Sequence, residues 1–96
     1  MEHIESGILS SDTLLKTGAG YVLSITIGYK GVTAGDFVAL KDGLTVGASD
    51  AAVFVLPAAN GTINKEWPAD GKVFATGIFF HKNTTGGSVW AEVSWA

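Results

Sequence analysis

The chain has 96 residues, of which 47% are hydrophobic and 16% charged, with a net charge of -3 and no cysteine. A chain this short builds one domain around one modest core, and with only two separated histidines, His3 and His81, it can reinforce that core with neither a disulfide nor a structural zinc site. Association with other chains is the remaining reinforcement, and a mean hydropathy of +0.33 supplies apolar surface for it.

The basic residues are six lysines, Lys16, Lys30, Lys41, Lys65, Lys72 and Lys82, scattered singly and without arginine. Nucleic acid is therefore not an expected partner, because its recognition wants a basic stripe and arginine forks. Nor is a membrane: the longest apolar stretch, Ala51 to Ala59, contains Pro57 and falls far short of the roughly 20 residues that cross a bilayer. The opening Met1-Glu-His-Ile-Glu-Ser lacks a basic region and a cleavage pattern, so synthesis in the cytosol is expected.

Thirteen glycines divide the rest into short β-branched and aromatic runs, which predict strands joined by turns and no helix. Residues 1–11 form a candidate N-terminal arm, and Ile4 to Ser10 with Thr13 to Thr17 give one or two strands. Gly20 to Tyr29 is the clearest strand, with Tyr21, Leu23, Ile25, Ile27 and Tyr29 assigned to one face and Ser24, Thr26 and Gly28 to the other. Asp36 to Lys41 follows, and Asp42-Gly43 predicts a tight reversal into a hairpin.

Ala51 to Leu56 is a continuous apolar run stopped by Pro57, as expected of a strand buried on both sides or lying against a partner. Asn60-Gly61 predicts a turn. Thr62 to Trp67, ended by Pro68, reads as an edge strand with Trp67 closing the core, and Asp70-Gly71 turns the chain again. Val73 to Lys82 is interrupted by Gly77, which predicts a bulge or bend. After the loop Asn83 to Gly87, Ser88 to Trp95 alternates Val89, Ala91, Val93 and Trp95 against Trp90, Glu92 and Ser94. The sum is a single all-β domain over residues 1–96, with seven to nine short strands whose spacing of about ten residues favours an antiparallel β-sandwich or a barrel.

Catalytic patterns are missing from the sequence: no cysteine nucleophile, no Gly-x-Ser-x-Gly, no His-Glu-x-x-His and no phosphate loop. Gly18-Ala-Gly20 leads into a strand, so it reads as a turn. Asp36, Asp42, Asp50 and Asp70 sit at predicted turns without a calcium-loop spacing, and they read as turn residues. His81 is expected as a solvated strand-end residue with no local partner to make it a base, and His3 falls in the arm. No catalytic, cofactor or metal residue is assigned. The aromatic residues carry more information, since Trp90 alternates to the outside of the last strand. An outward tryptophan marks a sugar-stacking platform or a protein interface, unless loops cover it.

Four segments, Gly-Ala-Gly-Tyr-Val-Leu-Ser-Ile-Thr-Ile at 18–27, Gly-Asp-Phe-Val-Ala-Leu-Lys-Asp-Gly at 35–43, Val-Phe-Ala-Thr-Gly-Ile-Phe at 73–79 and Gly-Gly-Ser-Val-Trp-Ala-Glu-Val at 86–93, together resemble small structural proteins of tailed-phage virions. The resemblance is one of cadence over residues 18–95. It implies a β-sandwich of jelly-roll type that forms a homo-oligomer, with a trimer favoured. Such a protein folds in the host cytoplasm and then decorates or cements the virion, with a major capsid or other virion protein as partner and no catalytic residues.

The expected function is accordingly that of a non-enzymatic virion protein. Ile4, Ile8, Phe54, Trp90 and Trp95 are its interface candidates, and Met1 to Ser11 is an arm that reaches a neighbour. The alternative is a glycan- or receptor-binding sandwich of a phage tail or adhesin, with Trp90 or Phe80 as the stacking platform.

Overall fold

Antiparallel pairing accounts for every strand of the computed structural model, which describes residues 4–69 and 71–96. In chain order these strands are β1 (Ile4–Glu5), β2 (Thr13–Thr17), β3 (Gly20–Lys30), β4 (Phe37–Asp42), β5 (Ser49–Val55), β6 (Gly61–Glu66), β7 (Lys72–Phe74), β8 (Gly77–Asn83) and β9 (Ser88–Trp95). One sheet has the order β1-β9-β3-β6, with β7 beside β6 on the same edge of β3, and the other has the order β2-β8-β4-β5. Among the described residues there is no helix.

The short β7 set aside, the remaining strands form a folded ribbon in which β1 pairs β9, β2 pairs β8, β3 pairs β6 and β4 pairs β5. Wound on itself, such a ribbon gives a two-sheet jelly roll. The chain is an all-β sandwich, as the strand spacing predicts.

The core lies between the sheets. Val22, Ile25, Ile27 and Phe74, with Val89, Ala91 and Val93 of β9, meet Val38 and Leu40 of β4, Leu56, and Ile78 and Phe80 of β8. The alternation along β9 holds as predicted from Ser88 to Val93, with Ser94 buried where the pattern sets it outward, but that along β3 is broken. Val22 is fully buried and Tyr21 is exposed, because the pairing of β3 with β9 slips between Val22 and Ser24. A bulge adds one residue and thereby reverses the faces on its far side. Tyr21 and Leu23 therefore do not share the inner face with Ile25, Ile27 and Tyr29.

Of the bulge or bend expected at Gly77 the structure has the bend: β7 lies in the first sheet and β8 in the second, and the chain bends from one to the other at Ala75 and Thr76. Two further expectations are corrected. The apolar run at 51–56 is not buried on both sides, since β5 is an edge strand with Val53 and Val55 exposed. The β4–β5 reversal spans residues 43–48 rather than turning tightly at Asp42-Gly43.

The N-terminal segment also behaves differently from a free arm. From Ile4 onward it is bound to its own sandwich, with Ile4 opposite Trp95, Leu9 bridged to Ala91 and buried, and the Ser6 hydroxyl accepting the Val93 amide at 2.9 Å. Met1 to His3 and Asp70 lie outside the described residues. Beyond Asp70, Gly71 turns with φ of 92°. β6 is an edge strand as predicted, and Trp67 packs against the core.

Candidate interaction surface

The two outer faces of the sandwich differ in chemistry. On the β1-β9-β3-β6 sheet, the residues that alternate outward are Ser88, Trp90 and Glu92 on β9, Ser24, Thr26 and Gly28 on β3, and Thr62, Asn64 and Glu66 on β6. Apart from Trp90 these are small or polar, and at the β7 end of the same face Tyr21 and its register partner Val73 are also exposed. The Thr26 hydroxyl donates to the Asn64 carbonyl at 3.3 Å across the strands.

The outer face of the other sheet is apolar. Its register forms one row from Leu14 through Phe79 and Lys41 to Asp50, a second through His81, Ala39 and Val53, and a third through Asn83, Phe37 and Val55. Ala39 is fully buried although it stands outside the core cluster, because the side chains around it on this outer face cover it. Leu14, Val53 and Val55 are exposed, and Phe37 and Phe79 are half-buried. An antiparallel sheet with one solvated face ordinarily alternates apolar inside and polar outside. Here the apolar residues occupy both faces.

The polar groups on this face are tied down. Lys41 is almost wholly buried; its ammonium donates to Asp50 at 2.7 Å and to the Ala48 carbonyl at 3.3 Å, so the charge is matched within the β4–β5 hairpin. His81 has a partner that the sequence did not reveal: its Nδ1 lies 3.0 Å from the Asp12 carboxylate, which also accepts the Lys82 amide at 2.8 Å. The His81 ring meets Phe37 edge-on with centroids 5.9 Å apart. Partial burial pushes the Asp12 carboxyl up, but the Lys82 amide, the His81 hydrogen bond and the nearby positive charges outweigh it and hold the group below its ordinary value. Sixty-nine residues separate the two members of this pair. Only the ribbon topology, which lays the segment before β2 beside β8, could have paired them.

The turn aspartates have become staples rather than ligands. Buried Asp36 accepts the Thr33 amide at 2.9 Å and both the amide and hydroxyl of Thr85 at 3.2 Å, joining the loop before β4 to the loop after β8. Asp42 accepts the amides of Ala75 and Thr76 at 3.0 and 2.8 Å and so fixes the point where the chain changes sheets. Those amides hold its carboxyl below the ordinary range. Among the described residues no cluster of His, Asp and Glu is placed to hold a metal, and no enclosed pocket is present.

The interface candidates are not brought together. Ile8 and Ile4 are exposed along the N-terminal segment, and Ile4 lies opposite Trp95 at one edge. Trp95 is partly buried against the core, with Lys16 over its ring, and Phe54 packs inward between exposed Val53 and Val55. Trp90 does face outward, as predicted. Phe80 does not: it is fully buried and can offer no stacking platform. Leu14, Phe37, Phe79, Val53 and Val55, the residues that make the apolar cluster, were hidden in the sequence because each adjoins a residue that serves the core. Comparison with protein-family models, with curated proteins and with solved structures gave no match.

Proposed function

We propose that this chain is a non-enzymatic structural protein of a tailed-phage virion that decorates or cements the capsid surface as a homo-oligomer. The observation that carries the reading is the cluster of apolar residues Leu14, Phe79, Phe37, Val53 and Val55 on the outer face of the β2-β8-β4-β5 sheet. A face of that kind gains from being covered, since a large apolar side chain contributes about 1.5–3 kcal/mol when it leaves water. The resemblance of residues 18–95 to tailed-phage virion proteins supports this reading, since on a virion many copies would bind side by side and modest contacts would add through avidity.

The experiment is to mix purified protein with undecorated phage heads. Co-sedimentation and increased resistance of the heads to heat or low salt are expected, with both effects reduced by Val55→Asp. Absence of association with heads and tails overturns the reading.

A further inference from the structure

The four edges of the sandwich are not equally protected. A sheet edge presents unpaired N–H and C=O groups that can template another strand, and proteins blunt such edges by shortness, lysine, proline or bulges. β1 is two residues long, and β7 is three residues long and carries Lys72. β2 carries Lys16 and slips register between Leu14 and Lys16. β6 ends in Lys65 and Glu66 ahead of Pro68. β5 is the least protected: it begins with Ser49-Asp50, slips register at Ala51 and is followed by Pro57, but at seven residues it is the longest edge strand, and Ala52 to Val55 is regular and carries neither charge nor proline.

We infer that β5 pairs antiparallel with β5 of a second copy of this chain, about a two-fold axis at Phe54, and joins the two four-stranded sheets into one continuous sheet. The inference rests on the reading above for its purpose, and gives that self-association a two-fold contact and a dimer in place of the trimer that the phage resemblance favours.

Three features support a second copy rather than a different protein. The backbone polarity fits: the Leu56 amide donates inward to the Asp36 carbonyl at 2.7 Å, so by alternation the N–H and C=O groups of Val53 and Val55 point away from β4. With the axis at Phe54, Val53 of each copy stands opposite Val55 of the other, so the N–H and C=O of Val53 pair with the C=O and N–H of the other copy's Val55.

The charges fit as well. Asp50, the nearest charge on the strand, is neutralised within its own chain by Lys41 at 2.7 Å, and in this register it falls beyond the paired residues instead of facing its equivalent. Finally, the side chains are self-complementary. Val53 and Val55, 47% and 64% exposed, meet across the axis, and the apolar rows through Ala39 and Phe37 continue from one copy into the next. The irregular pairing at Ala51, between Leu40 and Lys41 on the other strand, lies outside the proposed contact.

Native mass spectrometry and sedimentation of the full chain test this, and the expected species is a dimer of the 9.9 kDa chain. Val53→Lys and, separately, Val55→Lys place an ammonium against an apolar strand and should weaken dimerisation at least ~10-fold. Val73→Lys, at an equally exposed position on β7, should leave it unchanged. Circular dichroism and melting confirm that each variant is folded.

The register has its own readout. The chain has no native cysteine, and directly opposed residues in antiparallel strands lie about 5.5 Å apart, within disulfide reach. Mild oxidation of Val53→Cys mixed with Val55→Cys should therefore yield the mixed disulfide in preference to either self-disulfide. A monomer, a trimer, or a dimer that survives both lysine variants overturns the pairing. A β5-dependent dimer that fails to bind phage heads upholds the pairing and removes the virion reading alone.

Discussion

The indole of Trp90 occupies the space where Gly28, its register partner on β3, would carry a side chain. A Cβ built on Gly28 would fall well inside contact distance of Cε2, Nε1 and Cζ2 of the ring. Glycine weakens a strand interior because it is flexible and has nothing to pack, and a cross-strand aromatic laid over it restores cover to the backbone. Trp90 is thus outward and still structural.

Gly28→Ala should displace the indole and cost about 1–3 kcal/mol of stability, as overpacking does. Chemical denaturation measures the loss. The fluorescence component that disappears in Trp90→Phe should shift to longer wavelength in Gly28→Ala, and an unshifted component would show that the ring does not rest on the glycine.

Asp36→Ala should be among the more damaging single changes outside the core. It leaves the Thr33 and Thr85 amides without their acceptor in a place where the aspartate itself is only 6% exposed. Thr33 and Thr85 are themselves exposed, so water can reach the freed donors and the expected cost is about 1 kcal/mol, that of lost hydrogen bonds and not of buried unpartnered donors. The loss is read by denaturation, and accelerated amide exchange at both loops should accompany it.

Asp42 and Asp12 predict the acid behaviour. Both carboxyls sit below their ordinary value of 3.8 in the folded chain, Asp42 through the Ala75, Thr76 and Gly77 amides, and Asp12 through Lys82 and His81 against its own partial burial. A carboxyl lowered on folding stabilises the folded state fully above its unfolded value, and that contribution disappears as pH falls through the folded value. The melting temperature should therefore hold steady down to about pH 5 and then fall. Asp42→Ala and Asp12→Ala should melt lower than the parent at pH 7, and the gap should narrow in acid. A gap that is constant with pH would refute the linkage.

The bulge in β3 makes a paired prediction. Val22→Ala removes two methyl groups from a fully buried site and should cost about 2–3 kcal/mol, whereas Tyr21→Ser, on the exposed side, should cost under about 1 kcal/mol. Unfolding in urea ranks the two. The reverse order would mean that the strand alternates without interruption.

Local signals in the sequence carried the architecture well wherever one strand decided its own fate. Val89, Ala91 and Val93 alternate with Trp90 and Glu92 because β9 is regular through that stretch, and its two faces were legible for that reason. β3 was misread from Tyr21 to Leu23 because a bulge is a property of a pair of strands, and a single strand's periodicity does not record where its partner slips. Gly77 was recognised as a break, but a glycine says only that the backbone departs from regularity. Asp42, bound to amides more than thirty residues away, decides that the departure is a change of sheet.

The surface was the least legible part. β5 reads as a uniform apolar run from which neither its edge position nor the outward turn of Val53 and Val55 can be extracted, since both depend on which strand lies next to it. The Asp12–His81 pair was invisible for the same reason. The outward position of Trp90 was legible because one strand's alternation sufficed.

The ribbon sets a hierarchy in how the chain can find its structure. At the tip, Lys41 and Asp50 are joined across nine residues, whereas the clasp at the far end, between Ser6 and Val93, spans 87. Closing the larger loop costs roughly 2 kcal/mol more in chain entropy than closing the smaller, by the logarithmic dependence on length. A protein held together chiefly by such distant pairings folds slowly for its size, in milliseconds to seconds. The β4–β5 tip therefore closes at less cost than the Ser6–Val93 clasp, so loss of the clasp releases the longer loop of the chain while the hairpin that carries β5 keeps its own short-range contacts.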